Sequence, residues 1–247
     1  MISIILSNYN DSSVIQGQLT SIVNQTVFPA EVILADDGST DGSKKILTDF
    51  AQRYFNQNIK LMLNNRNRGF EPCVNDGIAI STQPYLYFCA SDDRLKSNFI
   101  ENLSKLCEDS PAVVMDSKDL ARGNYPDLGE SGMIRNFTHG NCYIPGHASI
   151  IRKDIMEEFE GHRKDFLWHA DHFLFHAAAF KYGMASTGET SADKYNNPNS
   201  YCNLGVETDE QIKVLNAMVE ELDKPIYDTV RDHMMCMVRK LPRGNEI

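Results

Sequence analysis

The feature that most constrains this sequence is a repeated alternation between short apolar runs and longer stretches whose apolar residues recur at helical spacing. Apolar runs begin at Ile2, Val32, Ile59 and Tyr85, and each is followed by such a stretch. A short, continuous apolar run is typical of a strand that is buried on both faces of a parallel sheet. Four such repeats and a further strand at 112–115 predict an α/β protein with a mostly parallel central sheet flanked by helices.

The second apolar run ends in two adjacent carboxylates. The stretch EVILADDGSTD, residues 31–41, leads from the strand into Asp36 and Asp37, and Gly38 then breaks the chain. In open α/β sheets, ligands bind at the carboxyl ends of the strands. Two adjacent acids repel a phosphate, but they can accept hydrogen bonds from a nucleobase imide or a ribose hydroxyl, or hold a hydrated cation. The alternative is that they only cap the following helix, and this stretch alone does not separate the two.

A second acid pair follows the fourth strand. Asp92 and Asp93 come shortly after the run that starts at Tyr85, so parallel strands would bring both pairs to one edge of the sheet. No GxGxxG or GxxxxGK[ST] motif follows the first strand, so a diphosphate bound here would need a cation, and Asp oxygens suit Mg²⁺ or Mn²⁺. Neighbouring side chains on an extended segment point to opposite sides. We therefore expect one acid on the metal and the other on a ribose hydroxyl or a loop amide; the alternative is two solvated acids in a loop.

Composition excludes several classes of protein. The chain has 247 residues and a net charge of −10, which argues against a nucleic-acid partner bound through its phosphates. Its six cysteines are scattered without a CxxC pair, so we expect reduced thiols rather than a disulfide framework or a zinc site. The sequence shows neither a signal peptide nor an apolar run of membrane-spanning length, which predicts a cytoplasmic protein.

Four stretches together carry a resemblance to a known family: ISIILSNYN, EVILADDGSTDGS, NRNRGFEPCVNDGI and YLYFCASDD. In this order and spacing they resemble an inverting glycosyltransferase of family 2 with the GT-A (Rossmann-like) fold. The resemblance implies a nucleotide-sugar donor, most often UDP-linked, and a divalent metal, Mn²⁺ or Mg²⁺. It also implies a carbohydrate or lipid-linked acceptor in polysaccharide or glycan biosynthesis, with transfer of a hexosyl or N-acetylhexosaminyl group.

The resemblance also implies roles for residues of the donor site. Ser7 and Tyr9 would contact the base, with Tyr9 stacking on it. Asp37 would bind the imide of the nucleobase, and Asp36 would support the loop that carries Asp37.

Asp92 and Asp93 occupy the DXD-type position of the family, which implies that Asp92 contacts the ribose and that both can contact the metal. The family commonly has an acid where this chain has Ala90, and a late metal-contacting His where it has Asn197. Both departures weaken the expectation of tight metal binding. They also keep open a different reading, a non-catalytic nucleotide-sugar-binding module.

On the acceptor side, the stretch WHADH at 168–172 resembles the acidic motif of the family, which implies that Asp171 is the catalytic base. Inverting transfer needs a carboxylate to take the proton of the acceptor hydroxyl, and a metal can stabilise the leaving diphosphate. Asp165 is the competing candidate. The alternative for Asp171 is an ordinary helix acid beside histidines.

Three histidines share one side of the predicted helix around Asp171: His169, His172 and His176. The last two have the i,i+4 spacing of a metal-binding pair, but no HExxH motif accompanies them, so buried hydrogen-bonding roles are the stronger expectation. One of them, or His147, could line the acceptor pocket.

The sequence suggests a division at about residue 205. We expect a GT-A domain at 1–205, with a nucleotide-sugar-binding half at 1–115 and an acceptor-side half at 116–205, and a C-terminal helical segment at 206–247. The methionines and basic residues of that segment could contact a partner or the inner face of a membrane, although a core-packing helix pair is the stronger expectation. A sugar-phosphate nucleotidyltransferase would need a Gly-rich, basic loop after the first strand, and SNYNDSS is neither.

Overall fold

A computed structural model of the chain describes residues 1–118, 123–125, 144–193 and 208–247. Ten strands lie within these residues: β1 (Ile2–Asn8), β2 (Glu31–Asp36), β3 (Ile59–Leu63), β4 (Tyr85–Ala90), β5 (Arg94–Leu95), β6 (Val113–Met115), β7 (Gly123–Tyr125), β8 (Ser149–Arg152), β9 (Met184–Ser186) and β10 (Ala192–Asp193). Eight of them form one sheet in the order β3-β2-β1-β4-β8-β6-β9-β7, and β5 pairs with β10 separately.

The pairing confirms the predicted α/β fold with a mostly parallel sheet. Strands β3, β2, β1 and β4 pair in parallel, as do β6 and β9. Strand β8 runs antiparallel to both β4 and β6, and it is the strand that joins the two parallel groups. Strand β7 is antiparallel at the far edge.

Helices cover both faces of the sheet: α1 (Ile15–Val23), α2 (Ser43–Arg53), α3 (Phe70–Ile80), α4 (Phe99–Ser104), α5 (Lys153–Glu158), α6 (Ala170–Tyr182), α7 (Asp209–Glu221) and α8 (Arg231–Val238). Alternate strand residues divide between two cores. Ile5 and Ile33 pack in the core that contains α3 and α6, whereas Ile4 and Leu34 pack in the core that contains α1 and α2. This burial on both sides explains why the strands read as continuous apolar runs.

The C-terminal segment packs as part of the core. Met218 of α7 and Met234, Met237 and Val238 of α8 are buried in the same cluster as α6. Arg243 forms ion pairs with acids of the same segment. The methionines therefore behave as the core-packing reading predicted. None of the helices within the described residues is long and apolar enough to cross a bilayer.

Candidate functional site

A cavity of about 530 Å³ opens at the carboxyl ends of β1, β2 and β4, within the size range of small-molecule sites. It brings together residues from the four motif stretches and from the turn before α6: Ser7, Asn8, Tyr9, Asp11, Asp37, Asn67, Gly69, Phe70, Glu71, Cys73, Ala90, Ser91, Asp92, Lys164 and Leu167. Four of the six predicted donor-site residues therefore line one cavity: Ser7, Tyr9, Asp37 and the half-buried Asp92.

Asp36 lies beneath this cavity and is fully buried. Its Oδ2 accepts a hydrogen bond from Asn8 Nδ2 at 2.7 Å, and its Oδ1 accepts one from the backbone N–H of Ser39 at 2.8 Å. These contacts hold the turn after β2 against the end of β1, which is the position expected of a loop-supporting acid. The first turn of α2 is held by a different acid, because Asp41 Oδ1 accepts the N–H of Ser43 at 2.9 Å.

Asp37 lines the cavity, but its carboxylate is engaged by the loop before α3. Asn64 Nδ2 donates to Oδ1 at 3.0 Å, the N–H of Gly69 donates to Oδ2 at 2.8 Å, and the N–H of Arg68 reaches both oxygens at 3.0–3.1 Å. A carboxylate offers about four lone-pair sites, so these contacts use most of its accepting capacity. Asp37 thus fixes the wall of the cavity, and a nucleobase N–H would have to share its oxygens.

The two acids after β4 lie in different surroundings, as predicted, but residues 91–92 form a turn and not the extended segment on which that prediction was based. Asp92 is half-buried and lines the cavity. Asp93 is buried under the loop, and its Oδ2 accepts the N–H of Ala90 at 3.2 Å. Arg94 fixes the loop from behind, donating to the carbonyl oxygens of Asp93 at 2.6 Å and Val14 at 3.0 Å. The cavity wall is therefore formed by Asp92, with Asp93 as the acid on the loop amide.

Asp11 is a cavity residue to which the sequence pattern assigned no role in the site. It follows β1, lines the cavity and accepts a hydrogen bond from Ser91 Oγ, next to Asp92. Its position in the polar turn after the first strand was the available signal, since that turn and the turn after β4 share one sheet edge.

The carboxylates that line the cavity can supply some, but not all, of the ligands of a divalent metal ion. In the part of the chain that the structure describes, no group of three or more His, Cys, Asp or Glu side chains is arranged so that it could hold a metal ion, and Asn197 lies outside that part. Asp11 and Asp92 nevertheless supply two carboxylates to one cavity. Mg²⁺ commonly binds through one or two carboxylates and completes its shell with water and substrate phosphates. This donor set fits a divalent ion shared with a bound diphosphate.

Asp171 and Asp165 have different surroundings, although they lie on consecutive turns. Asp165 is paired through both oxygens with the Arg163 guanidinium at 2.8 and 3.1 Å, and this hydrogen bonding holds the pKa of Asp165 below its ordinary value. A carboxylate stabilised in this way is a weaker base. Asp171 lies in the first turn of α6, half-buried, with its carboxylate against Gly146. Of the two acids, Asp165 is therefore the one that is held by an arginine, and neither of them is among the residues that line the cavity.

The helix around Asp171 begins later than its sequence pattern predicts, because the apolar residues Leu167, Ala170 and Leu174 have helical spacing but Leu167 lies outside the helix. Residues Lys164–His169 form a short 3-10 helix, and Leu167 has φ 44° and ψ −124°, so α6 begins only at Ala170. A non-glycine residue in this region of backbone space is strained, and such residues cluster at functional sites. Leu167 and Lys164 both line the cavity.

The three histidines of this region are buried hydrogen-bonding residues. His176 Nδ1 lies 2.7 Å from the carbonyl oxygen of His172, and His169 Nε2 lies 3.0–3.2 Å from the amide of Gln211. His172 Nε2 lies 3.0 Å from Met237 Sδ. Burial lowers the pKa of His169 and of His176 to about 4 and holds the pKa of His172 well below its ordinary value, so all three are neutral near pH 7. His172 therefore links α6 to α8, and His169 links the turn before α6 to α7, whereas the hydrogen bond of His176 lies within α6.

Glu71 is a further cavity residue to which the sequence pattern assigned no role in the site. It lies in the first turn of α3 and is 3% exposed. Burial raises its pKa above the ordinary value. The available signal was its spacing, because positions 71, 74 and 78 share one helix face and the other two, Val74 and Ile78, belong to the core.

Comparison with known proteins supports the family that the four motif stretches resemble. The sequence model described as "Glycosyl transferase family 2" matches residues 3–160. An uncharacterized glycosyltransferase of Nostoc sp. is 28% identical over 170 residues, which cover 64% of this chain and 52% of that protein. Glycosyltransferase GlyG of Streptococcus pneumoniae is 30% identical over 165 residues, which cover 66% and 52%. The chain thus spans about half the length of these relatives.

Solved structures share the fold at low sequence identity. TarS 1-349 of S. aureus in complex with UDP-GlcNAc has a TM-score of 0.73 at 16% identity, covering 96% of this chain and 70% of that one. The mannosyltransferase PcManGT from Pyrobaculum calidifontis, in complex with GDP-Man and Mn²⁺, has a TM-score of 0.67 at 16% identity, covering 96% and 69%.

Proposed function

Because the chain belongs to glycosyl transferase family 2, we propose that it transfers a hexosyl or N-acetylhexosaminyl group from a UDP-linked donor, with inversion. The acceptor in this proposal is a carbohydrate or a lipid-linked sugar, in polysaccharide or glycan biosynthesis. The observation that carries the proposal is the cavity at the carboxyl ends of β1, β2 and β4, where Asp92 and the aromatic ring of Tyr9 line the same space. The UDP-GlcNAc complex of TarS, which has the same fold, supports the choice of donor.

In the donor half, we propose that the nucleobase of the donor binds next to Ser7 and Tyr9. Tyr9 is 45% exposed at the cavity, so its ring is available for stacking on a base. A divalent metal, Mn²⁺ or Mg²⁺, would be held by Asp92 with Asp11 or Asp93, and when bound it would neutralise charge on the leaving diphosphate.

In the acceptor half, Asp171 takes the proton of the acceptor hydroxyl as that oxygen attacks the anomeric carbon and the nucleoside diphosphate leaves from the opposite face. Oδ1 of its carboxylate accepts the N–H of His172 at 2.7 Å, and Oδ2 faces the bare Cα of Gly146. The division into a nucleotide-sugar half at 1–115 and an acceptor half at 116–205 belongs to the same proposal.

The test is a panel of UDP-sugars, with GDP-mannose for comparison, in the presence and absence of Mn²⁺. Thermal stabilisation of the protein reports binding, and release of UDP reports donor hydrolysis or transfer. We expect stabilisation by at least one UDP-sugar and metal-dependent release of UDP. Full turnover in the presence of a chelator would reject the metal assignment.

A non-catalytic nucleotide-sugar-binding module is the second candidate, and the observation that favours it is Ala90 in place of an acid at the end of β4. The same panel separates the two functions. Stabilisation by a UDP-sugar without any release of UDP, with and without candidate acceptors, would support the binding module.

A further inference from the structure

The cavity at the carboxyl ends of β1, β2 and β4 is lined by several acids and includes one cationic side chain. Among the described residues that line it, Asp11, Asp37, Glu71 and Asp92 are acids, and Lys164 is the single base. Lys164 is exposed and forms no hydrogen bond or ion pair with any residue that the structure describes. An ammonium group without a partner in the wall of a ligand cavity is available to a ligand, and it favours an anionic one.

Two other cations close to the cavity are already engaged. The Arg163 guanidinium, next to Lys164 in the chain, donates hydrogen bonds to Asp165. Arg68 lies between two cavity residues in the sequence, but it pairs with Asp76. Of these three cations, Lys164 is therefore the one that remains available to a ligand in the cavity.

The turn before α6 places Lys164 in the cavity wall. In a 3-10 helix, residues three positions apart lie on the same side. Lys164 and Leu167 both line the cavity, whereas Phe166 and His169 of the same turn are buried. Leu167 has a positive φ of 44°. A non-glycine residue keeps such a conformation only where its surroundings hold it there.

Helix α7 supplies those surroundings, because it contacts the turn at both ends. Gln211 is fully buried, and its Oε1 accepts a hydrogen bond from Trp168 Nε1 at 2.7 Å. Glu221, near the other end of α7, is also buried and accepts a hydrogen bond from Arg163. These two contacts lie on either side of residues 164–167, so α7 fixes the part of the turn that lines the cavity.

We propose that Lys164 binds the diphosphate of the donor, and that Gln211 and Glu221 of α7 are positioning residues that hold Lys164 at the cavity. This inference rests on the proposed function, because it assumes a nucleotide donor. The ammonium group would stabilise the negative charge that the diphosphate gains as it leaves the sugar. Both Lys164 and α7 lie outside residues 3–160, which the family model matches, so this support of the donor site is a feature of the second half of this chain.

The experiment measures the Kd of UDP by calorimetry in EDTA, so that no metal contributes, at 50 and 500 mM NaCl. We expect K164M to weaken UDP binding by ~10- to 100-fold at the lower salt concentration, and K164R, which keeps the charge, to stay within ~3-fold of the unsubstituted protein. Salt screens the contact between an exposed ammonium group and a phosphate. Binding by the unsubstituted protein should therefore weaken more steeply with salt than binding by K164M. GDP replaces UDP if the unsubstituted protein binds GDP more tightly.

A double-mutant cycle tests the role of α7. Q211L removes the hydrogen bond to Trp168, which releases the turn, so UDP binding should weaken by ~5-fold or more. K164M/Q211L should bind UDP within ~2-fold of K164M, because losses that act through one group do not add. A merely structural role of Gln211 would make the two losses add. If Q211L does not fold, W168F gives the same cycle, because it keeps an aromatic ring and removes the N–H donor.

K213M is the matched control, because Lys213 of the same helix is 74% exposed and pairs with Glu210 outside the cavity. It should change neither the Kd of UDP nor its salt dependence. An unchanged Kd in K164M, or a weaker Kd with an unchanged salt dependence, would overturn the role of Lys164. Additive losses in the double variant would overturn the role of Gln211. Failure of the unsubstituted protein to bind either UDP or GDP would instead reject the proposed function, and this inference with it.

Discussion

Asp171 is the residue on which the proposed chemistry depends most directly. Substitution by Asn keeps the shape of the side chain but removes its ability to accept a proton, and general-base catalysis typically contributes ~10²- to 10⁴-fold. D171N should therefore lose that much in kcat while the Kd for the donor stays nearly unchanged. Asp165, which is held by Arg163, is the control, and D165N should lose far less. If the two variants exchange behaviour, the base is Asp165.

Gly146 provides a second test of the same carboxylate. A Cβ at this position would lie 2.0 Å from Asp171 Oδ2, so G146A must displace the carboxylate. We expect kcat to fall at least ~10-fold, because small misplacements of a reacting group are costly, with little effect on donor KM. Gly42 is the matched control: a Cβ there meets nothing closer than Ser12 Cβ at 3.6 Å. Equal activity of G146A and G42A would show that the position of Asp171 does not limit the reaction.

For individual residues, the sequence predicted that acids lie at the ends of strands, but it did not predict which of these acids hold loops and which face the cavity. Asp36, Asp37 and Asp92 lie at one edge of the sheet because the strands that precede them run in parallel. Which oxygen remains available depends on the fold of the loop before α3, whose backbone N–H groups occupy Asp37. The burial of Glu71 depends on the packing of α3 against the sheet, and no local pattern shows that its Oε1 lacks a donor.

Among the elements, β2 is tied to its neighbours at the end opposite the cavity by one buried acid. Glu31 is fully buried and accepts hydrogen bonds from Ser3 Oγ at 2.5 Å, from the backbone of Thr82 at 2.9 Å and from Lys60 Nζ at 2.6 Å. Removing one partner of a buried ion pair costs about 3–5 kcal/mol, so E31A should lower the free energy of unfolding by about that amount.

The exposed pair between Glu101 and Lys105 of the segment around α4 is the control for this prediction. Exposed i,i+4 pairs contribute about 0.3–0.5 kcal/mol, so E101A should change little. Urea unfolding at pH 7 measures both variants. A loss below about 1 kcal/mol in E31A would mean that the contacts of Glu31 do not hold the three strands together.

The elements themselves were largely predictable, because both faces of the sheet are covered and each strand therefore reads as a continuous apolar run. The first four strands and the helices between them lie where the pattern placed them. The turn before α6 was not predictable. The apolar spacing of Leu167 with Ala170 and Leu174 is helical, yet tertiary packing holds Leu167 in a left-handed conformation and delays the helix by three residues.

For the whole molecule, buried histidines predict a loss of stability in mild acid. Burial lowers the pKa of His162 to about 4, and neither of its ring nitrogens has a partner among the described residues. The unfolded chain takes up the proton near pH 6.5, so stability is complete above that pH and is lost as pH falls toward 4. Each such histidine contributes a slope of up to ~1.4 kcal/mol per pH unit in this window.

H162F tests this directly. The ring of His162 packs edge-on against Phe88 at 4.8 Å, so a phenyl ring fits the same environment without losing a hydrogen bond. Denaturant unfolding from pH 7.5 to 4.5 should show a shallower decline for H162F than for the unsubstituted protein. His176 is the comparison, because H176F removes a similar slope but also loses the contact with the carbonyl oxygen of His172. Parallel pH profiles for H162F and the unsubstituted protein would exclude His162 as a source of the acid sensitivity.

The position of β8 has a consequence for the order in which the protein can assemble during synthesis. This four-residue strand comes after both β4 and β6 in the chain, yet it lies between the β3-β2-β1-β4 group and the β6-β9-β7 group in the sheet. Until Arg152 has left the ribosome, β4 presents an unpaired edge and the sheet cannot become continuous. Such non-local closure slows folding and exposes strand edges to other chains. A nascent chain halted before β8 should therefore need chaperone protection that the finished protein does not.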